Sequence, residues 1–527
     1  MNSLLCLFLF GVASATSPTT WPTCRPITDD SLTVHSHLGT IHGMVNLSTP
    51  CVRRFLGIPY SKPPIHERRF RPPVPVDSYP GGSIDAFEFG PSCPQFFLED
   101  PPLVYNRLVS EFNLEGLNET SYDTSEDCLS LSVYTPSVKP GEKLPVIIFI
   151  HGGAFNFGGQ NIPYQIPANW VQDSQKHIVV TFNYRLNILG FPNAAGLNPS
   201  ERNVGLLDQR EVVKWVRDNI EAFGGDTKRI TLWGHSAGSI SAGWYQYAYT
   251  EDKDPIVSGI VMGSGTEIFP GARASTEDVT HGNFTGVAKH FGCNKDSSSA
   301  EEELRCMQSV DVNALEEFLK EEMVKLMTGQ PGALYFTAVA DNVTVFKSYR
   351  ERAAEGKILH VPTIIGTDKS DGLVFVPLGP NGVNQTIVDG TTEVLFFCPS
   401  VEAAQFRIEN DIPVFRFLYA GNFSNVSPEP YLGAYHGSEL PLIFGTAGEY
   451  RGASTPEEIT TGDALQDSLE AFMSDRVEGL EKLGWPQCED AVTCLVREFG
   501  GVPVVQDISL EAFAAACPPR IPGALDR

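Results

Sequence analysis

One serine in this chain stands in a setting suited to a nucleophile. Gly234-His235-Ser236-Ala237-Gly238 reads G-x-S-x-G, directly after the apolar run at 229–233 (RITLW) and before a helix-compatible stretch at 239–247. The pattern alone carries little, because at this glycine and serine content chance supplies about 0.3 such matches in a chain this long. Its context gives it meaning. A sharp strand-to-helix turn needs small residues on either side of the serine, since larger side chains would collide there. The turn also sets Ser236 at a helix N-terminus, where the dipole favours developing negative charge. The chemistry this suits is nucleophilic acyl transfer.

A serine hydroxyl attacks well only when a base takes its proton. In turns of this kind the acid and then the histidine follow the serine in chain order. Four histidines follow: His281, His290, His360 and His436. His281 and His290 leave little room for an acid-bearing strand, and His360 precedes a strand, a structural position. His436 lies in the glycine-flanked loop Gly433-Ala434-Tyr435-His436-Gly437, shortly after the apolar run at 413–419, where α/β sheets place catalytic groups. The acid should also follow a strand. The run at 361–365 (VPTII) leads into Gly366-Thr367-Asp368-Lys369-Ser370-Asp371-Gly372. Either Asp368 or Asp371 can hold the imidazole, and the other then caps a turn. The residues themselves do not separate the two.

A tetrahedral oxyanion needs main-chain N–H donors. After the run at 144–150 comes His151-Gly152-Gly153-Ala154-Phe155, of the HGGG type, which makes Gly153, Ala154 and Ala237 the candidate donors. No metal or organic cofactor is called for.

The elements that must position these groups read as strand and helix in alternation. Unbroken apolar runs at 144–150 and 179–184 suit strands buried on both faces. A helical stripe of Leu206, Val212, Val213, Trp215, Val216 and Ile220 fills 205–223 and ends at Gly224-Gly225-Asp226. Further strands are expected at 229–233, 361–365 and 413–419. This is an α/β pattern with a mostly parallel sheet between helices. The segment before Leu144 reads as loops and short β runs over the sheet's edge and mouth. Residues 267–330 read as a helical insertion over the strand ends, forming part of a pocket wall.

Composition limits the partners. The 527 residues carry a formal net charge of −26, which repels nucleic acid and anionic membranes. Residues 1–15 have a short apolar core ending in Ala13-Ser14-Ala15, a signal-peptide pattern, so the expected product is one exported unit spanning 16–527 with no stable membrane anchor. Beyond Cys6 ten cysteines remain, an even number without zinc-site spacing, which suits disulfides. Sequons at Asn46, Asn118, Asn283, Asn342, Asn384, Asn422 and Asn425 suit a glycosylated surface, although Asn422 and Asn425 are too close to favour joint occupancy.

Several ordered motifs resemble the type-B carboxylesterase/lipase family, the group of the cholinesterases and fungal lipases. They are residues 55–60 (FLGIPY), 69–73 (RFRPP), 126–131 (EDCLSL), Asn183-Tyr184-Arg185-Leu186, the run NVGLLDQREVVKWVRDNIEAFGGD before the serine, and Tyr435-His436-Gly437-Ser438-Glu439. The resemblance implies an α/β-hydrolase fold and a secreted, fungal-type member hydrolysing small-molecule or lipid esters. It places the acid before a glycine, at Asp371. It also implies disulfides Cys93–Cys128, closing a lid-like loop, and Cys293–Cys306, an Arg69–Glu126 ion pair, and a hydroxyl at Ser264 behind the site. For the other six cysteines one pairing compatible with spacing is 24–51, 398–517 and 488–494. The chain departs from the family in having His235 where Glu is frequent, read as a supporting residue, and Asp rather than Glu as acid. No aromatic arrangement implies a choline site. A lipase with a mobile lid is the second reading, and a non-catalytic adhesion protein the third.

Overall fold

The computed structural model describes residues 24–517 apart from 26, 97, 99–123, 140, 251–254, 271–277, 296–297, 381 and 450. Residues 1–15, expected to be a signal, Asn118 and most of the lid-like loop lie outside the described residues. Among the described residues the strands are β1 (Thr33–Ser36), β2 (Gly39–His42), β3 (Met44–Asn46), β4 (Thr49–Pro59), β5 (Ser83–Asp85), β6 (Ser130–Pro136), β7 (Leu144–Ile150), β8 (Ile178–Phe182), β9 (Gly225–His235), β10 (Gly259–Gly263), β11 (Thr363–Asp368), β12 (Val414–Tyr419), β13 (Leu495–Phe499) and β14 (Val505–Ser509). Eleven form one sheet in the order β14-β13-β12-β11-β10-β9-β7-β8-β6-β4-β3, and β1, β2 and β5 form a small separate one.

From β8 to β13 every pairing is parallel, with antiparallel strands at both edges. β7 shows why. All seven of its residues are buried, and they divide by period two: Val146, Ile148 and Ile150 enter one core, Ile147 and Phe149 the other. A strand covered on both faces needs helices on each side. The helix Val204–Asn219 supplies one with its stripe of Val212, Val213, Trp215 and Val216, and a 3-10 turn then ends at Gly224 with φ +98°.

The segment before Leu144 is more than loop: it gives β3, β4 and β6 to the main sheet. In the insertion, the helices Gly282–His290, Ala300–Met307 and Val312–Met327 close a core of their own around Phe284, Leu304, Leu315 and Phe318, with Phe70 and Ile188 joining from outside. Buried ion pairs, two of them on motif residues, act as internal ties. Arg185 grips Asp208 with two bonds of 2.8 and 2.6 Å, Arg69 pairs with Glu126 at 2.6 and 2.5 Å, and the fully buried Arg407 pairs with Glu267 at 2.8 Å.

The ten cysteines beyond Cys6 are all joined: 24–51, 93–128, 293–306, 398–517 and 488–494. Cys398–Cys517 spans 119 residues of chain, and a long closed loop restricts the unfolded ensemble most. Replacing both by serine is expected to lower stability by about 2–5 kcal/mol, read as a lower urea midpoint.

Candidate active site

The candidate residues gather at the C-terminal ends of the parallel strands. Ser236 follows β9 with φ 56° and ψ −123°, a backbone region that L residues rarely occupy. The turn closes because Gly234 and Gly238, two residues away on each side, lack side chains. A Cβ on Gly234 would lie 2.0 Å from Gly238 O, and one on Gly238 would lie 2.0 Å from Ile150 O. The Ser236 N–H donates to Gly263 O at 2.9 Å, fastening the turn to β10. The helix Ala237–Ala248 starts at the next residue, so its first N–H groups converge beside the half-buried serine.

His436 arrives from the loop after β12. Backbone contacts hold this loop against the end of β11, including Ser370 N–H to Ala434 O at 2.9 Å. His436 Nδ1 lies 2.8 Å from Asp371 Oδ1. A carboxylate only accepts, so Nδ1 carries the proton and Nε2 is left as the basic atom. Asp371 is fully buried, and its Oδ2 accepts from Ser264 Oγ at 3.1 Å and from the Asp368 N–H at 2.7 Å. The structure thus brings Asp371, not Asp368, to the histidine. Asp368 turns its Oδ2 to the Gly437 N–H at 2.9 Å.

The other three histidines after Ser236 stand apart. His281 bonds Asn193 O at 2.9 Å, His290 packs on Phe318, and His360 is exposed at the N-terminal end of β11. His151 is buried and stacked on Tyr184; burial pushes it down to about 4, so it is neutral at ordinary pH. His235 is buried, and desolvation with the nearby His436 holds it well below its usual range. Its ring lies 4.7 Å from that of His436, and its Nε2 is 3.5 Å from Glu439 Oε1. It faces into the protein behind the serine.

Gly153 (φ +107°) and Ala154 (φ 53°) shape the loop after β7. A Cβ on Gly153 would lie 2.1 Å from Phe157 O. The N–H groups of Gly153, Ala154 and Ala237 have no protein acceptor among the described residues.

A model of the carboxylesterase family matches residues 30–387. A chlorogenic acid esterase of Aspergillus niger is 40% identical over 476 residues, covering 90% of this chain and 87% of that protein. The chain belongs to the carboxylesterase family. Secreted lipase 5 of Gibberella zeae is 37% identical, covering 89% and 90% of the two chains, and a mouse cholinesterase is 26% identical, covering 80% and 76%. With the family come the α/β-hydrolase fold and carboxylic ester hydrolase activity.

Two groups of neighbours in this carboxylesterase escape a reading of the sequence. Phe396 packs on the His436 ring, centroids 5.1 Å apart, and Phe269 and Phe375 surround Phe396 at 5.4 and 5.9 Å. Three aromatics from distant segments meet there without a shared motif. The second is Asp368 with Glu439, two buried acids in contact. Glu439 closes the YHGSE motif, which marks its place but not its partner. The sequons also divide. Asn342, Asn384 and Asn422 are exposed, and Asn46 and Asn283 half-buried. Asn425 is buried with its Nδ2 donating to Ala447 O at 2.9 Å, so in the folded chain it has no room for a glycan. No described helix is long and apolar enough to cross a membrane.

Proposed function

We propose that this carboxylesterase works through an acyl-enzyme formed on Ser236. Ser236 Oγ bonds to the ester carbonyl carbon while His436 Nε2 takes the hydroxyl proton. The carbonyl π electrons move onto oxygen, and the N–H groups of Gly153, Ala154 and Ala237 receive that oxyanion. Collapse breaks the bond to the alkoxy oxygen, which leaves as the alcohol with the proton from His436. Water then attacks the acyl carbon by the same route and releases the acid. Asp371 holds the imidazole tautomer and stabilises the imidazolium. The observation that carries this reading is the 2.8 Å contact between His436 Nδ1 and the buried Asp371, together with a serine on a strained strand-to-helix turn whose neighbour His235 has its ring 4.7 Å from that of His436.

The aromatic wall of Phe269, Phe375 and Phe396 beside His436 supports substrates with a planar or bulky apolar group, in keeping with the relative named a chlorogenic acid esterase. Action on longer-chain acylglycerols is the second reading, favoured by the secreted lipase relatives. Residues 1–15 act as a cleaved signal, and the product is an exported glycoprotein, a reading supported by five disulfides and exposed sequons. A panel of chromogenic esters tests the assignment. Aromatic esters are expected to turn over at least about tenfold faster than long-chain ones at equal solubility, since one or two apolar groups in a pocket discriminate by this much. A sharp rise in rate above the solubility limit of a long-chain ester would instead establish the lipase.

A further inference from the structure

Asp368 and Glu439 are both buried behind the site. Their carboxyl oxygens and a ring nitrogen of His235 fall within 4.8 Å of one another. Among the described residues the one ion-pair contact of either acid is Glu439 to His235 at 3.5 Å, and His235 is neutral there. Each acid keeps one buried oxygen, Asp368 Oδ1 and Glu439 Oε2, with no donor among the described residues. Two ionised carboxylates in contact offer acceptors only, and burial removes the water that would separate them.

The surroundings do not offset a second charge. Asp371 and His436 face the pair from the 3-10 turn and the histidine loop, and Tyr419 from the end of β12, with Tyr435 and Glu458 of the helix Pro456–Lys482 near Tyr419 in turn. An apolar pocket lined by Trp233, Ile364, Phe417 and Leu465 backs Glu439. Apart from the histidines, these groups are anionic, neutral or apolar.

We propose that Asp368 and Glu439 hold a single proton between them at neutral pH, and that Asp368, so anchored, is a positioning residue setting His436 against Asp371. Asp368 reaches both members of that catalytic contact. Its N–H donates to Asp371 Oδ2 at 2.7 Å, and its Oδ2 accepts the N–H of Gly437, the residue after His436, at 2.9 Å. Desolvation and the neighbouring acids push Asp368 well above the ordinary carboxyl range, and desolvation pushes Glu439 up to about 7. The two titrate as a unit. The positioning role rests on the function proposed above; the shared proton does not.

Infrared difference spectra of the intact protein at neutral pH, in H2O and D2O, test the proton directly. Wild type minus Asp368→Asn and wild type minus Glu439→Gln should each contain the C=O stretch of a protonated carboxylic acid, shifted in D2O. No such band in either difference overturns the proposal. So does one tightly bound metal ion per chain by elemental analysis, since a cation held by His235, Asp368 and Glu439 would stand in for the proton. Stability gives a second reading. The folded pair keeps a proton that unfolded carboxyls release, so the pair's contribution to stability falls as pH rises above 4.5 and is still falling at about 7. Glu439→Gln should lose that slope. Positioning is read in turnover: Asp368→Ala should lower kcat about 30-fold with little change in KM, since small misplacements of a reacting group cost this much. Asp368→Asn, which keeps an oxygen facing Gly437, should recover most of the loss. Equal losses in both variants overturn the positioning role, while the infrared result stands apart from turnover and therefore from the fate of Ser236.

Discussion

Ser236→Ala is expected to lower kcat/KM toward esters by about 10⁶, with secretion and thermal midpoint close to wild type. The hydroxyl is the atom that bonds to the acyl carbon, so no neighbour replaces it. Its loss costs little in folding, because the side chain caps no helix N–H. The oxyanion donors remain, and a residual rate about 10³–10⁴ above water is expected from them and from binding. Measuring turnover on the best ester of the panel, with burst kinetics to count acylated sites, checks this. Turnover within tenfold of wild type would remove Ser236 from the mechanism.

The second large effect is at the acid. Asp371→Asn is expected to reduce kcat by about 10⁴, far more than Asp368→Asn. Asp371 Oδ1 accepts the Nδ1 proton of His436, and its Oδ2 is pinned by Ser264 Oγ and the Asp368 N–H. An asparagine held by those two donors turns its NH2 group toward Nδ1. The imidazole proton then moves to Nε2, the atom that must accept from serine. Asp368 makes no contact with the imidazole among the described bonds, and an asparagine there preserves an acceptor for Gly437. Single-turnover rates of the two variants decide the matter, and the reverse ranking would transfer the role to Asp368.

What could be read in advance depended on how local its cause was. β7 was legible to the residue, because a strand covered on both faces is apolar throughout. β11 was placed two residues early: the apolar run begins at Val361, but the parallel ladder begins at Thr363, after Pro362, which has no N–H to donate. Its other end runs to Asp368, since buried pairing continues through polar residues that hydropathy cannot flag. β13 was missed for the same reason. It contains Arg497 and Glu498, and Arg497 is carried into the sheet by Asp507 on the neighbouring strand at 2.9 Å. The order of serine, acid and histidine was legible because each follows a strand. The choice between Asp368 and Asp371 was legible only through the family resemblance, since by residue pattern both lie within one turn after β11. That choice is made by the direction of two side chains, which the fold alone determines. The aromatic wall and the Asp368–Glu439 contact were invisible for a related reason: their members meet only once β11, β12 and the segment after β10 lie side by side.

The bond between Cys398 and Cys517 has a topological consequence. With the intervening chain it closes a covalent ring that contains β12, the loop of His436, the helix Pro456–Lys482 and the edge strands β13 and β14. Ser236 and Asp371 lie upstream, outside the ring. A single backbone cut anywhere between residues 398 and 517 opens the ring without releasing a fragment, so the histidine stays joined to the molecule from one side or the other. In an environment rich in proteases, the base of the site is therefore attached by two covalent routes.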